Sequence, residues 1–131
     1  MTPRRVVERY VELINAGHYG EVGSLWADDA TLYSPDGRVF QGKIAISAFY
    51  SSFRSYQIPL MRAVSFTEDI AAKVCAVELE TQMSRDESGN WKTDPNAPLS
   101  LAALDRFTIN NAGKIQHMIA YVAPSNRWLA A

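Results

Sequence analysis

Apolar residues in the N-terminal segment RRVVERYVELINAG fall at Val6, Val7, Tyr10, Val11, Leu13 and Ile14. That spacing is helical and predicts a helix with one apolar stripe. Thr2 and Pro3 suit its N-cap and first turn, and Asn15-Ala16-Gly17 suits its end. A second, short helix is predicted over His18 to Trp26, with Val22, Leu25 and Trp26 on one side and Asp28 and Asp29 closing it. Ala30 to Ser34 reads as a short strand stopped by the Pro35-Asp36-Gly37 turn, with Arg38 to Gln41 pairing back against it. Gly42 leads into a third helix, Lys43 to about Phe53, whose stripe is Ile46, Phe49, Tyr50 and Phe53.

Further along, the apolar period shortens from helical to alternating. Ile58 to Phe66, Ala71 to Met83, Leu99 to Ile109 and Lys114 to Val122 predict strands. In the second of these, Cys75, Val77, Leu79 and Thr81 share a face, while Glu78 and Glu80 point the other way. In the third, Leu101, Ala103, Asp105, Phe107 and Ile109 share a face, opposite Ala102, Leu104, Arg106 and Thr108. His117 is read with Ile115 and Ile119, away from the Met118 face. Ser84 to Pro98 is predicted as a long hairpin connection, Asn110-Asn111-Ala112-Gly113 as a tight turn, and Pro124 onward as a tail anchored by Trp128. Helices first and strands after predict an α+β fold. The expected form is a curved antiparallel β-sheet with three N-terminal helices, a cone enclosing an apolar pocket, as one domain over residues 1–131.

Composition narrows the functional classes. Hydrophobic residues make up 47% and charged residues 21%, an ordinary globular balance. A formal net charge of −1 supplies no basic field for nucleic acid. No apolar run approaches the roughly 20 residues that span a bilayer, and the charged start MTPRRVVERYVEL is not signal-like. Cys75 is the lone cysteine, so no internal disulfide can form, and a cytoplasmic location is expected. Two isolated histidines without a Cys/His cluster predict no metal, and the absence of a glycine-rich phosphate loop predicts no nucleotide cofactor.

The one acid on an apolar strand face is Asp105. Desolvation disfavours a buried carboxylate, so the group is expected to titrate high and to be able to donate a hydrogen bond. A carboxyl at a sheet edge, salt-bridged to an arginine, fits the same pattern, and alternation alone does not choose. Tyr10 and Tyr50 lie within apolar helical stripes, where a core tyrosine needs a partner for its hydroxyl. Together with Asp105 they would form a donor cluster for a developing oxyanion.

The segments RYVELINAG, WADDAT, the SPDG turn, FQGKIAISAFY and LDRFTINNAGKI resemble bacterial ketosteroid isomerases, of the nuclear-transport-factor-like, SnoaL-like superfamily. The resemblance runs from about Val6 to Val122 and departs mainly in the Ser84 to Pro98 connection. It implies a cofactor-independent isomerase, usually a homodimer, that moves a double bond in a 3-oxosteroid. That family is itself the standard example of an aspartic acid kept neutral so that it can donate a hydrogen bond. By resemblance, Tyr10 and Asp105 match the oxyanion donors and Tyr50 the tyrosine supporting Tyr10. A substrate-binding wall of Trp26, Phe49, Cys75, Val77, Leu79, Ala103, Phe107, Met118, Ala120 and Val122 is implied for an apolar, steroid-like or polycyclic ligand. The departure is chemical: the family's catalytic base precedes the turn proline, and here that residue is Ser34. A serine hydroxyl is too weakly basic to take a proton beside a carbonyl unaided. Asp36 acting as the base, polyketide-cyclase-like or epoxide-opening chemistry, and a non-catalytic binder of an apolar ligand all remain open.

Overall fold

The computed structural model describes residues 1–34, 37–52, 60–89 and 91–122. Asp36, Phe53 and Trp128, singled out above, lie outside them. Helix α1 (Pro3–Asn15) starts where expected, with the Thr2 side chain accepting from the Arg5 amide at 3.2 Å. It ends in a Schellman arrangement: Gly17, at φ 74°, donates to Ile14, and His18 donates to Leu13. The second helix is shorter than its pattern predicts. One turn, α2 (Tyr19–Val22), tightens into a 3₁₀ turn (Gly23–Leu25), and Trp26 already begins strand β1 (Trp26–Tyr33). Asp28 and Asp29 therefore sit in a strand and do not close a helix. Strand pairing overrides the local helical spacing here, because Trp26 is in register with Ile115 of the last strand.

Strand β2 (Val39–Gln41) pairs back on β1, and α3 (Lys43–Ser52) follows. The remaining strands are β3 (Met61–Asp69), β4 (Val74–Arg85), β5 (Trp91–Thr93), β6 (Leu99–Ile109) and β7 (Ile115–Val122). The sheet order is β2-β1-β7-β6-β4-β3, with β5 paired to the far end of β4. Three expectations are corrected. The sheet is mixed rather than antiparallel, because β1 runs parallel to β7. The Ser84 to Pro98 connection carries its own strand, β5. Residues 70–73 form a turn instead of starting β4, with the Lys73 amide on the Ile70 carbonyl and Lys73 at φ 57°.

Register shifts bend the strands and explain two further differences. Between β6 and β7 the pairing moves from Ile109↔Ile115 to Thr108↔His117, which leaves Gln116 as the extra residue. Ile115 is thereby turned inward and buried, on the core side with Met118 and not with His117. Between β4 and β6 the pairing moves from Leu79↔Ala103 to Glu80↔Leu101, which leaves Ala102 as the extra residue and breaks the strict alternation expected along β6. With shifts also in β1 and β3, the sheet curves and stays open at its β2 and β3 edges.

The helices cover one sheet face. Cys75, Val77 and Leu79 of β4, Phe107 and Ile109 of β6, and Ile115 and Met118 of β7 meet the stripe of α1 and the Ile46 and Tyr50 side of α3. The opposite face carries polar groups such as Glu80, whose carboxylate is held by the Arg62 guanidinium. Among the described residues, no helix is long and apolar enough to cross a membrane.

Gly23 sets how closely α3 seats. A Cβ there would meet the Ser47 side chain, its Cβ at 3.1 Å and its Oγ closer still. Gly23→Ala should therefore push α3 outward and destabilise the fold by about 1–3 kcal/mol, read as a lowered midpoint in urea unfolding. An unchanged midpoint would show that Ser47 swings aside freely.

Candidate active site

Two helices and two strands converge on a pair of hydroxyls. α1 presents Tyr10 four residues after Val6 and three before Leu13, on the stripe that faces the sheet. α3 presents Tyr50 four residues after Ile46. The phenol oxygens stand 2.9 Å apart, both buried. The rings meet edge-on, with centroids 5.9 Å apart at 79°. Phe107 supports the Tyr10 ring at 5.1 Å, while Phe49 at 5.3 Å and Trp26 at 6.1 Å flank Tyr50. The Tyr50 hydroxyl also donates to Met118 Sδ at 3.8 Å. A thioether has no proton to give. When that contact is made, the Tyr50 oxygen must take its bond from Tyr10. A stronger acceptor placed beside Tyr10 reverses the pair, so that Tyr50 donates to Tyr10 and Tyr10 donates outward.

Asp105 lies two residues before Phe107 on the same face of β6, in register with Val77 on one side and Ala120 on the other. It is 5% exposed. Among the described residues its side chain has no hydrogen-bond or ion-pair partner. The salt-bridged reading is not realised: Arg106 projects from the other, exposed face. Burial alone pushes the carboxyl up to about 7. Near neutrality the group is poised between donor and carboxylate. Burial, and behind it the field of charged Asp105, raises the Tyr10 phenol far above its ordinary value, partly offset by the Tyr50 hydrogen bond. Tyr50 is raised too, by burial first and then by Tyr10 and Asp105. Both phenols thus keep their protons at neutral pH and serve as donors.

The other residues expected to line a pocket are packed as follows. Cys75, Val77 and Leu79 are fully buried on the same face, while Ala103 and Ala120 pack half-buried against the core. Val122 is half-buried opposite Ala103. Burial pushes the Cys75 thiol up to about 11, so it behaves as a small hydrophobe. Among the described residues, no cluster of three His, Cys, Asp or Glu side chains is placed to hold a metal. Ser34 stands half-buried at the end of β1. Its amide donates to the Arg38 carbonyl at 2.9 Å, and its carbonyl accepts from the Gly37 amide at 3.1 Å.

Sequence reasoning passed over Phe40 and Arg38. Phe40 stacks on Phe49 at 4.4 Å, and the Arg38 guanidinium lies over both rings at 5.3 and 5.7 Å. An aromatic ladder therefore runs from the Ser34 hairpin through Phe40 and Phe49 to Tyr50. The i, i+2 spacing of Arg38 and Phe40 was a signal for a shared strand face, but only the hairpin pairing brings that face onto α3.

The sequence profile of the SnoaL-like domain matches residues 7–118. The chain belongs to the SnoaL-like domain family. The matched span contains Tyr10, Tyr50, Asp105 and Met118. The SnoaL-like fold is shared with a solved structure of SalBIII, an epoxide hydrolase/cyclase-like enzyme with a role in pyran ring formation in the polyether salinomycin. The two superpose with a TM-score of 0.72 over 93% of this chain and 91% of that one, at 22% sequence identity. At that identity the likeness speaks to the fold.

Proposed function

We propose that this SnoaL-like protein is a cofactor-independent enzyme of the isomerase and cyclase type, acting on an apolar ketone or related oxygenated molecule of steroid-like or polycyclic shape. The observation that carries the reading is the buried Tyr10–Tyr50 hydroxyl pair beside a carboxyl held up to about 7. In the isomerase form of the reaction, the substrate oxygen accepts from Tyr10 and from protonated Asp105. As a proton leaves the α-carbon, charge gathers on that oxygen, and donors fixed in apolar surroundings stabilise it strongly. Tyr50, turned to donate to Tyr10, spreads the charge further. A proton carrier is still required. Ser34 occupies the position where ketosteroid isomerases hold their base, and Asp36, two residues on, is the candidate replacement.

Ser34 favours a second reading. Chemistry that needs no strong base fits it better: Asp105 gives its proton to an epoxide oxygen as that oxygen's C–O bond breaks, a hydroxyl of the substrate attacks the same carbon, and the proton the hydroxyl sheds returns to the Asp105 carboxylate. The fold likeness to an epoxide hydrolase/cyclase-like enzyme supports the same direction. Either way, we assign the protein to the cytoplasm as a homodimer paired through the outer sheet face, where Leu104 and Tyr121 are exposed.

The test is turnover of a β,γ-unsaturated ketone and of a hydroxy-epoxide, set beside calorimetric binding of 4-nitrophenol. Tyr10→Phe should weaken 4-nitrophenol binding about tenfold and slow whichever substrate is turned over. Binding without turnover of either substrate would overturn the enzyme reading in favour of a non-catalytic binder.

A further inference from the structure

Among the described residues, Trp26 Nε1 is a donor with nothing to donate to. The indole is fully buried at the start of β1, tilted against the Tyr50 ring with centroids 6.1 Å apart, and its N–H meets no acceptor among those residues. Buried indole N–H groups nearly always find a partner, because an unmet one forfeits the bonds it had in water. A site that needed only a large ring here would be served by phenylalanine, which fills a flat space without that penalty. The unmet donor stands in the shell of rings around the hydroxyl pair, one ring removed from Tyr10.

We propose that Trp26 is a specificity-determining residue whose Nε1–H donates to an acceptor atom of the bound molecule, separate from the oxygen held by Tyr10. The substrate class follows. It is an apolar molecule with at least two acceptor oxygens, one for the phenol pair and one for the indole. This rests on the reading of the Tyr10–Tyr50 pair as the ligand site. Trp26 makes a neutral hydrogen bond, so it selects among ligands by their acceptors and not by their charge. Its contribution should be modest in affinity and sharp in discrimination, because an analogue lacking the acceptor leaves the indole unmet.

The experiment pairs 2-, 3- and 4-hydroxyacetophenone with the corresponding ethylphenols. Each pair has nearly the same shape and differs in one carbonyl acceptor. In the unaltered protein, at least one hydroxyacetophenone should bind about three- to tenfold more tightly than its ethylphenol. The same ligand should move the Trp26 indole N–H resonance downfield in a ¹⁵N–¹H spectrum, while its ethylphenol should not. Trp26→Phe should erase the affinity difference within that pair. The proposal is overturned if the carbonyl confers no advantage in any pair, or if the advantage survives Trp26→Phe. It is equally overturned if the indole resonance stays put at saturation, the result expected when a buried water satisfies Nε1. If no phenol binds at all, the reading of the hydroxyl pair fails first and this inference with it. Phenols that bind and respond to Tyr10→Phe without responding to the second acceptor sink this inference alone.

Discussion

Asp105→Asn is expected to stabilise the protein at pH 8 and to change it little near pH 4. The carboxyl is pushed from an ordinary 3.8 up to about 7 by burial. A group whose folded pKa lies above its unfolded one favours the folded state most below the unfolded pKa, and that advantage is lost as pH rises through the folded pKa. The window is therefore about pH 4 to 7: folding is unencumbered below it and carries the full cost of a buried carboxylate above it. Three pKa units at about 1.4 kcal/mol each make that cost about 4 kcal/mol. Asparagine has nearly the same shape and cannot ionise, so the variant should lack this pH dependence. Urea unfolding at intervals from pH 4 to pH 9 measures it, and parallel curves for the two proteins would show that Asp105 is solvated or paired after all. The ligand-bound protein offers a second readout. If protonated Asp105 donates to the ligand, a neutral phenol should bind most tightly below about pH 7 and lose affinity above it, and asparagine, which still has an N–H donor, should flatten the profile.

A natural chain tolerates such a cost where function needs the group. That made the site unusually legible, because an acid on an otherwise apolar strand face stands out by period alone. Tyr10 and Tyr50 were legible for the same reason: each is a polar tip on a helical stripe. Strand β6 and helix α1 could be bounded from their patterns because both have strong terminal signals, the Asn110 turn for one and the Thr2 cap with Gly17 for the other. What escaped was decided by partners distant in sequence. Trp26 reads as the end of a helix, yet pairing with Ile115 makes it the first residue of a strand. A parallel β1–β7 pair leaves no turn between its strands to be read. The extra residues at Gln116 and Ala102 are invisible in strict alternation, and the first of them sent Ile115 to the wrong face. The unmet indole of Trp26 is likewise a fact about neighbours, not about the letter W.

Ser34→Asp is expected to raise turnover of a β,γ-unsaturated ketone by about 10²–10⁴-fold, the usual contribution of a positioned proton carrier. The backbone at this position is already fixed. Ser34 closes the β1–β2 hairpin through its bonds with Arg38 and Gly37, so a carboxylate placed there inherits a defined register instead of a loose loop. The two halves of the reaction should then be interdependent. Adding Tyr10→Phe to Ser34→Asp should remove most of the gain, because a base without an oxyanion donor leaves the enolate unsupported. Asp36→Asn separates the remaining alternatives. If Asp36 is the working base, its loss abolishes isomerisation in the unaltered protein while Ser34→Asp restores it. If hydroxy-epoxide opening is the natural reaction, Asp36→Asn leaves that activity intact, and Ser34→Asp adds isomerisation without improving ring formation. No gain in isomerisation from Ser34→Asp, with 4-nitrophenol still bound, would mean that a carboxylate at this hairpin does not reach the α-carbon, and the isomerase form of the proposal would fall while the cyclase form stood.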